Sequence, residues 1–232
     1  MKYSGSTYTR FAIVLLVGAC CWAVSGVLES SRTLAVVTKE ADSLKKRIEN
    51  LSLRDQVEFL RELKTSKEQS AHVSFYLGNA YLNLENPDSA VIYYREAIAL
   101  DSTYTKAYVN LGIAFEQLRQ FDDAKSIYKK AIVVNPQDVL AHCHLGHYYH
   151  ARGELGEAVD HYRRALEIDP QSAQAHYNLG LAFADSRLFA EAIREWEKVV
   201  ELSPESELGR TADENLRLIR TYMELGNTEK RD

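Results

Sequence analysis

The chain has 232 residues, 46% hydrophobic and 26% charged, a globular rather than a disordered balance. Its 4 prolines and 11 glycines, set among many Ala, Leu, Glu, Lys and Arg, exclude collagen-like and turn-dense β architectures and favour helices. A net charge of −5 gives no electrostatic footprint for nucleic acid, and three cysteines without a CxxC pair (Cys20, Cys21, Cys143) provide neither a disulfide framework nor a zinc or haem motif.

After a short N-region, 1–10, come 18 residues without a charge, Phe11 to Leu28. A membrane crossing takes about 20 apolar residues, so this stretch predicts a transmembrane signal-anchor at 11–28. Lys2 and Arg10 precede it, which places the N-terminus in the cytoplasm and everything after Leu28 outside, in the periplasm if the source is bacterial. Two alternatives stay open: Ala23-Val24-Ser25 is a small-x-small triplet suited to signal-peptidase cleavage, and Val17-Gly18-Ala19-Cys20 resembles a bacterial lipobox. A linker is expected at 29–38.

Residues 39–70 read as two flanking helices. Leu44, Ile48 and Leu51 form one helical stripe and Leu53, Val57 and Leu60 another, with the phase changing at Ser52-Leu53-Arg54-Asp55, a capping-box spacing. They are expected to cap the N-terminal end of a longer helical array, with a short coiled coil as the alternative.

From residue 71 the chain repeats itself. Leu77-Gly78, Leu111-Gly112, Leu145-Gly146 and Leu179-Gly180 recur every 34 residues. Twelve residues after each glycine stands an alanine (Ala90, Ala124, Ala158, Ala192), and four further on a large aromatic (Tyr94, Tyr128, Tyr162, Trp196). Each unit carries two apolar stripes of helical period, as in Leu111, Phe115 and Leu118, then Ala124, Ile127, Tyr128, Ala131 and Val134. A helical glycine costs about 1 kcal/mol relative to alanine, so four at fixed phase mark a close helix approach, expected against the alanine twelve residues on. Pro136, Pro170 and Pro204 close the later units, with Ser102 in that place in the first. Leu44 at the glycine position keeps the template from fitting residues 39–70.

These residues resemble the tetratricopeptide repeat family over 71–206, as four units: 71–104, 105–138, 139–172 and 173–206. The family's favoured Trp at the fourth position is Ser74, Tyr108, His142 and His176 here. The expected fold is an all-α solenoid of four helical hairpins, preceded by the transmembrane helix. It ends in a capping helix and tail at 207–232, where Leu208, Ala212, Leu216, Ile219 and Met223 form an apolar stripe and Gly226 lies just past the helix end.

The resemblance implies a concave groove lined by the first helices, binding a peptide or helix of partner proteins. The groove candidates are Tyr76, Asn79, Asn83, Lys106, Asn110, Ile113, Gln117, His144, His147, Gln174, Asn178 and Leu181, with Leu82, Glu116, Leu140 and His150 also on that face. Asn110 and Asn178 are expected to bond a ligand backbone. Co-chaperone members of the family clamp a C-terminal carboxylate with cations, and the matching positions Phe75, Leu140 and His144 carry none. His144, His147 and His150, spaced by three, are weak metal-ligand candidates or titrating groups, so no metal or cofactor is assigned. No nucleophile elbow, phosphate loop or carboxylate pair stands out, and no enzyme is expected. The functional expectation is a membrane-tethered scaffold in envelope complex assembly. The alternative is a homo-oligomer built through residues 39–66 or the array's ends.

Overall fold

The computed structural model describes residues 42–66 and 70–228, all of whose regular elements are helices. The N-region, the signal-anchor expected at 11–28 and the linker at 29–38 lie outside the described residues. Among the described residues no helix is long and apolar enough to cross a membrane.

The described residues fall into two units, divided after Gln56. In the first, helix α1 spans 42–48 and buries Leu44 and Ile48. A cap comes next, in which the Asp55 amide donates to Ser52 Oγ (3.3 Å) and the Ser52 hydroxyl donates to Asp55 Oδ2 (2.7 Å). It starts α2 (Leu53–Ser66), as the capping-box spacing predicts.

The second unit contains the hairpins α3 (Ala71–Asn83) and α4 (Pro87–Leu100), α5 (Thr105–Gln117) and α6 (Phe121–Val134), α7 (Val139–Ala151) and α8 (Leu155–Ile168), and α9 (Ala173–Asp185) and α10 (Phe189–Leu202). Every start and end recurs after 34 residues. So do the bounds of α2, since Leu53 and Ser66 precede Pro87 and Leu100 by that interval. The template therefore reaches into the flanking region, where Gln56 stands at the alanine position and hides it. The long last helix, α11 (Glu207–Thr228), starts where another first helix would begin. It runs through Gly226 rather than stopping before it. Ala212, Leu216 and Ile219 are buried, but Met223, expected in the same stripe, is 38% exposed because no described element lies over the last turns.

Each glycine faces a ring, not the alanine expected. A Cβ on Gly78, Gly112, Gly146 or Gly180 would lie 2.5, 2.2, 2.6 or 2.4 Å from the ring of Tyr94, Tyr128, Tyr162 or Trp196. The ring edge lies flat on the glycine, which is why no side chain is tolerated there. The alanines are fully buried as well, and small for their own contacts.

The turns inside the hairpins share a left-handed residue at Glu85, Arg119, Gly153 and Arg187, with φ of 56°, 60°, 74° and 59°. Only one of the four is a glycine. Helices α6 and α8 end on extended Asn135 and Asp169 ahead of the closing prolines. In the first unit Asp101 takes the same extended backbone without a proline, and its Oδ1 accepts from the Thr103 amide (2.9 Å) and hydroxyl (2.7 Å).

Candidate functional site

Within 57–232 three pairs of successive first helices touch, α3 with α5, α7 with α9 and α9 with α11, and no pair of successive second helices does so to the same extent. The array curves with the first helices inside. At the first junction polar side chains from two first helices meet the phenol of a second helix.

At the first junction the Tyr94 hydroxyl donates to Asn79 Oδ1 (2.8 Å), and Asn110 Nδ2–H donates to the same oxygen (2.8 Å). The phenol is fully buried, and burial pushes its pKa above the ordinary tyrosine range. At the second junction the residues 34 further on are Tyr128, Ile113 and His144. Ile113 has nothing to accept with, and the buried Tyr128 hydroxyl instead faces the Glu116 carboxyl, without a hydrogen bond of ordinary geometry to any described residue. His144 stacks on the ring (5.0 Å between centroids, 15° between planes). Burial, helped by the Glu116 charge, pushes the Tyr128 pKa up, and burial raises the Glu116 carboxyl, with the Tyr128 hydroxyl opposing. Burial, together with His147, lowers His144 to about 4, so it is neutral at pH 7.

His142, His161 and His176 do structural work. His142 Nε2 faces the Pro136 carbonyl (3.3 Å) and Nδ1 faces His161 Nδ1 (3.2 Å), while His176 Nε2 faces the Pro170 carbonyl (3.1 Å) and Nδ1 the Glu195 carboxylate (2.7 Å). At the position where the family favours Trp, each thus fastens the preceding unit's closing proline. The two nitrogens shared by His142 and His161 leave room for one proton between them, and burial is the main cause lowering both pKa values. His161 stacks on Tyr149 (5.6 Å, 6°), whose ring also receives Lys125 Nζ at 5.0 Å.

Of the groove candidates, Asn83, Lys106, Gln117, His147 and Gln174 are exposed, and Tyr76, Asn79, Asn110, Ile113, His144, Asn178 and Leu181 are partly buried. Asn110 and Asn178 are not free amides: one donates to Asn79, and the Oδ1 of the other accepts from Gln174 Nε2 (3.0 Å). The histidine trio is dispersed, because His144 lies against Tyr128 and His150 Nε2 pairs with Asp185 Oδ2 (2.7 Å) on the next first helix. Among the described residues no group of three or more side chains is placed to hold a metal. Cys143 is buried, its thiol pushed up to about 12, which keeps it unreactive. Residue spacing did not single out the phenol–amide network or His161. The one available signal was that Tyr rather than Phe stands at three of the four ring positions, bringing a hydroxyl that a buried site must satisfy.

The fold is thus that of a curved array of helical hairpins. Tetratricopeptide-repeat family models match it at 71–104 and 173–206, at 105–138, at 127–160 and, as a TPR repeat, at 146–186, so the chain carries tetratricopeptide repeats. Proteins built from these repeats generally mediate protein–protein interactions. Among solved structures the chain is similar to MamA, with 24% identity over 69% of this chain and 94% of that one and a TM-score of 0.60. YrrB, described as a TPR protein with an unusual peptide-binding site, aligns at 23% identity over 75% of this chain and 88% of that one, with a TM-score of 0.56. TTC0263, a thermophilic TPR protein of Thermus thermophilus, aligns at 20% identity over 70% and 89%, with a TM-score of 0.61. At such identities the likeness is one of fold. None of the curated proteins matches the chain.

Proposed function

We propose that the face formed by α3, α5, α7 and α9 is a groove binding an extended peptide or helix of a partner protein. The chain holding it is tethered by residues 11–28, with the repeats outside the cytoplasm, and serves assembly of an envelope complex. The observation that carries the groove is the mixed character of this inner face: exposed Asn83, Lys106 and Gln117 lie among partly buried Tyr76, Ile113 and Leu181. Such a face matches the backbone and the side chains of a peptide at once. A photocrosslinking residue at Gln117 of the full chain is expected to capture a partner in its host cells, while the same residue at Val133, 81% exposed on a second helix, captures none. Equal capture at both positions would overturn the groove. The tether is tested by a reporter fused after Lys39, expected to report from outside the cytoplasm, and by the mass of the mature chain.

A second reading, homo-oligomerisation through an array end, is favoured by α11. Leu218 (70%) and Tyr222 (62%) are exposed there, beside a hollow of about 330 Å³ that Phe189, Trp196 and Ile219 also line. A single mass by light scattering that is unchanged in Leu218→Lys would set this reading aside.

A further inference from the structure

We propose that His142 and His161 form a two-imidazole site for a divalent transition metal ion, zinc being the ion whose geometry it fits. The site uses none of the groove candidates. The third hairpin brings the rings together, His142 from α7 and His161 from α8, with their Nδ1 atoms 3.2 Å apart. Two nitrogens each about 2.0 Å from a tetrahedral zinc lie about 3.3 Å from one another. The spacing is that of two ligands sharing one ion, and a proton is the smaller cation that the same lone pairs can share. The Pro136 carbonyl can only accept, so the His142 Nε2 facing it (3.3 Å) carries the hydrogen, which leaves the Nδ1 lone pair aimed at His161. A backbone carbonyl on the far nitrogen is the support that metal-ligating histidines ordinarily have.

The second ring is held by its stack on Tyr149 (5.6 Å, 6°), so both ligands are oriented before an ion arrives. Burial lowers both pKa values, which keeps the imidazoles in the neutral, ligating form at pH 7. Binding then needs only that the hydrogen between the rings move to Nε2 of His161, a tautomer shift with no net loss of protons. Asp138 and Asp160 near the pair favour a positive ion while Arg164 and Lys129 oppose it, so the bonds to nitrogen decide. His142 is buried but His161 is partly exposed, which gives solvent a way in. Among the described residues no third side chain joins the two, so water completes the coordination. One repeat later the same positions hold His176 and Glu195, and there imidazole and carboxylate close on each other at 2.7 Å. That distance is a charge-assisted hydrogen bond, too short for two ligands of one ion.

The test is the melting temperature of the full chain in detergent, stripped of metal by a chelator and carrying Cys20→Ser and Cys21→Ser so that those thiols do not compete. Excess zinc chloride is expected to raise it by several degrees, and titration calorimetry to show one ion per chain. Magnesium and calcium, which seek oxygen ligands, are expected to raise nothing. His142→Gln and His161→Gln are each expected to abolish the rise and to weaken zinc by roughly tenfold or more. His176→Gln, in the closed pair, and His150→Gln, in the groove trio, are expected to leave the zinc-dependent rise as it was. Copper(II) on the same chain is expected to show coupling to two imidazole nitrogens in its electron paramagnetic resonance spectrum, which a pair that is only hydrogen-bonded would not give. His161→Gln carries the decision if His142→Gln, at a buried position, fails to fold. The absence of a zinc-dependent rise, or a rise that persists in His161→Gln, would overturn the site.

Discussion

The first and second repeat junctions seat the same phenol over the same glycine and finish it differently. Around Tyr94, Asn79 and Asn110 close a hydrogen-bonded set, so the junction is complete in itself. Around Tyr128, an isoleucine and a histidine stand at the positions of those amides, and the hydroxyl faces the Glu116 carboxyl without ordinary hydrogen-bond geometry. The contrast separates a junction closed by uncharged amides from one whose phenol faces a titratable carboxyl.

The contact common to both junctions carries the largest expected effect. Gly78→Leu and Gly112→Leu each drive a side chain into the ring lying on them and are expected to cost ~1 to 3 kcal/mol or more, read as a drop in melting temperature. Exposed Lys130→Ala is the near-silent control. An unaltered melt for both glycine variants would remove the ring contact from the account.

Acid is expected to act next, and through the second junction. His144 titrates near 6.5 in the unfolded chain and at about 4 in the folded one, so the unfolded state binds the proton first. The stability linked to neutral His144 is present above pH 6.5 and is lost as pH falls from there toward 4. The buried His142–His161 pair, also lowered, adds loss in the same direction. Melts at pH 7 and pH 5 are expected to show a smaller acid loss in His144→Gln than in the wild type, and no such difference for Asn110→Gln, its counterpart at the first junction.

The smallest effect concerns the hairpin turns. Arg119 holds a left-handed φ of 60° where the next unit has Gly153. Arg119→Gly is expected to change stability by less than about 1 kcal/mol, because relief of strain is offset by a freer unfolded chain, and Gly153→Val is expected to lower the melting temperature.

The hairpins were legible in the sequence because Gly, Ala, aromatic and Pro each fix a backbone event at one phase of the repeat. The groove's interior was not, for a physical reason. Whether Asn110 is open to a ligand depends on whether residue 79 can accept from it, and that pairing joins side chains 31 residues apart on different helices. The reading of Gly against Ala failed similarly, since spacing shows that something small is needed but not which ring occupies the space. The reach of the template into the flanking helices was hidden by Leu44 and Gln56, although α2 keeps the repeat's bounds.

The most direct measurement is the pair of equilibrium melts of Tyr94→Phe and Tyr128→Phe. Tyr94→Phe removes a bond to Asn79 and is expected to cost about 0.5 to 1.5 kcal/mol. Tyr128→Phe removes a hydroxyl that faces only the Glu116 carboxyl, without ordinary hydrogen-bond geometry, so it is expected to cost less than Tyr94→Phe. Equal losses in the two variants would contradict the account, because the second junction would then be as closed as the first.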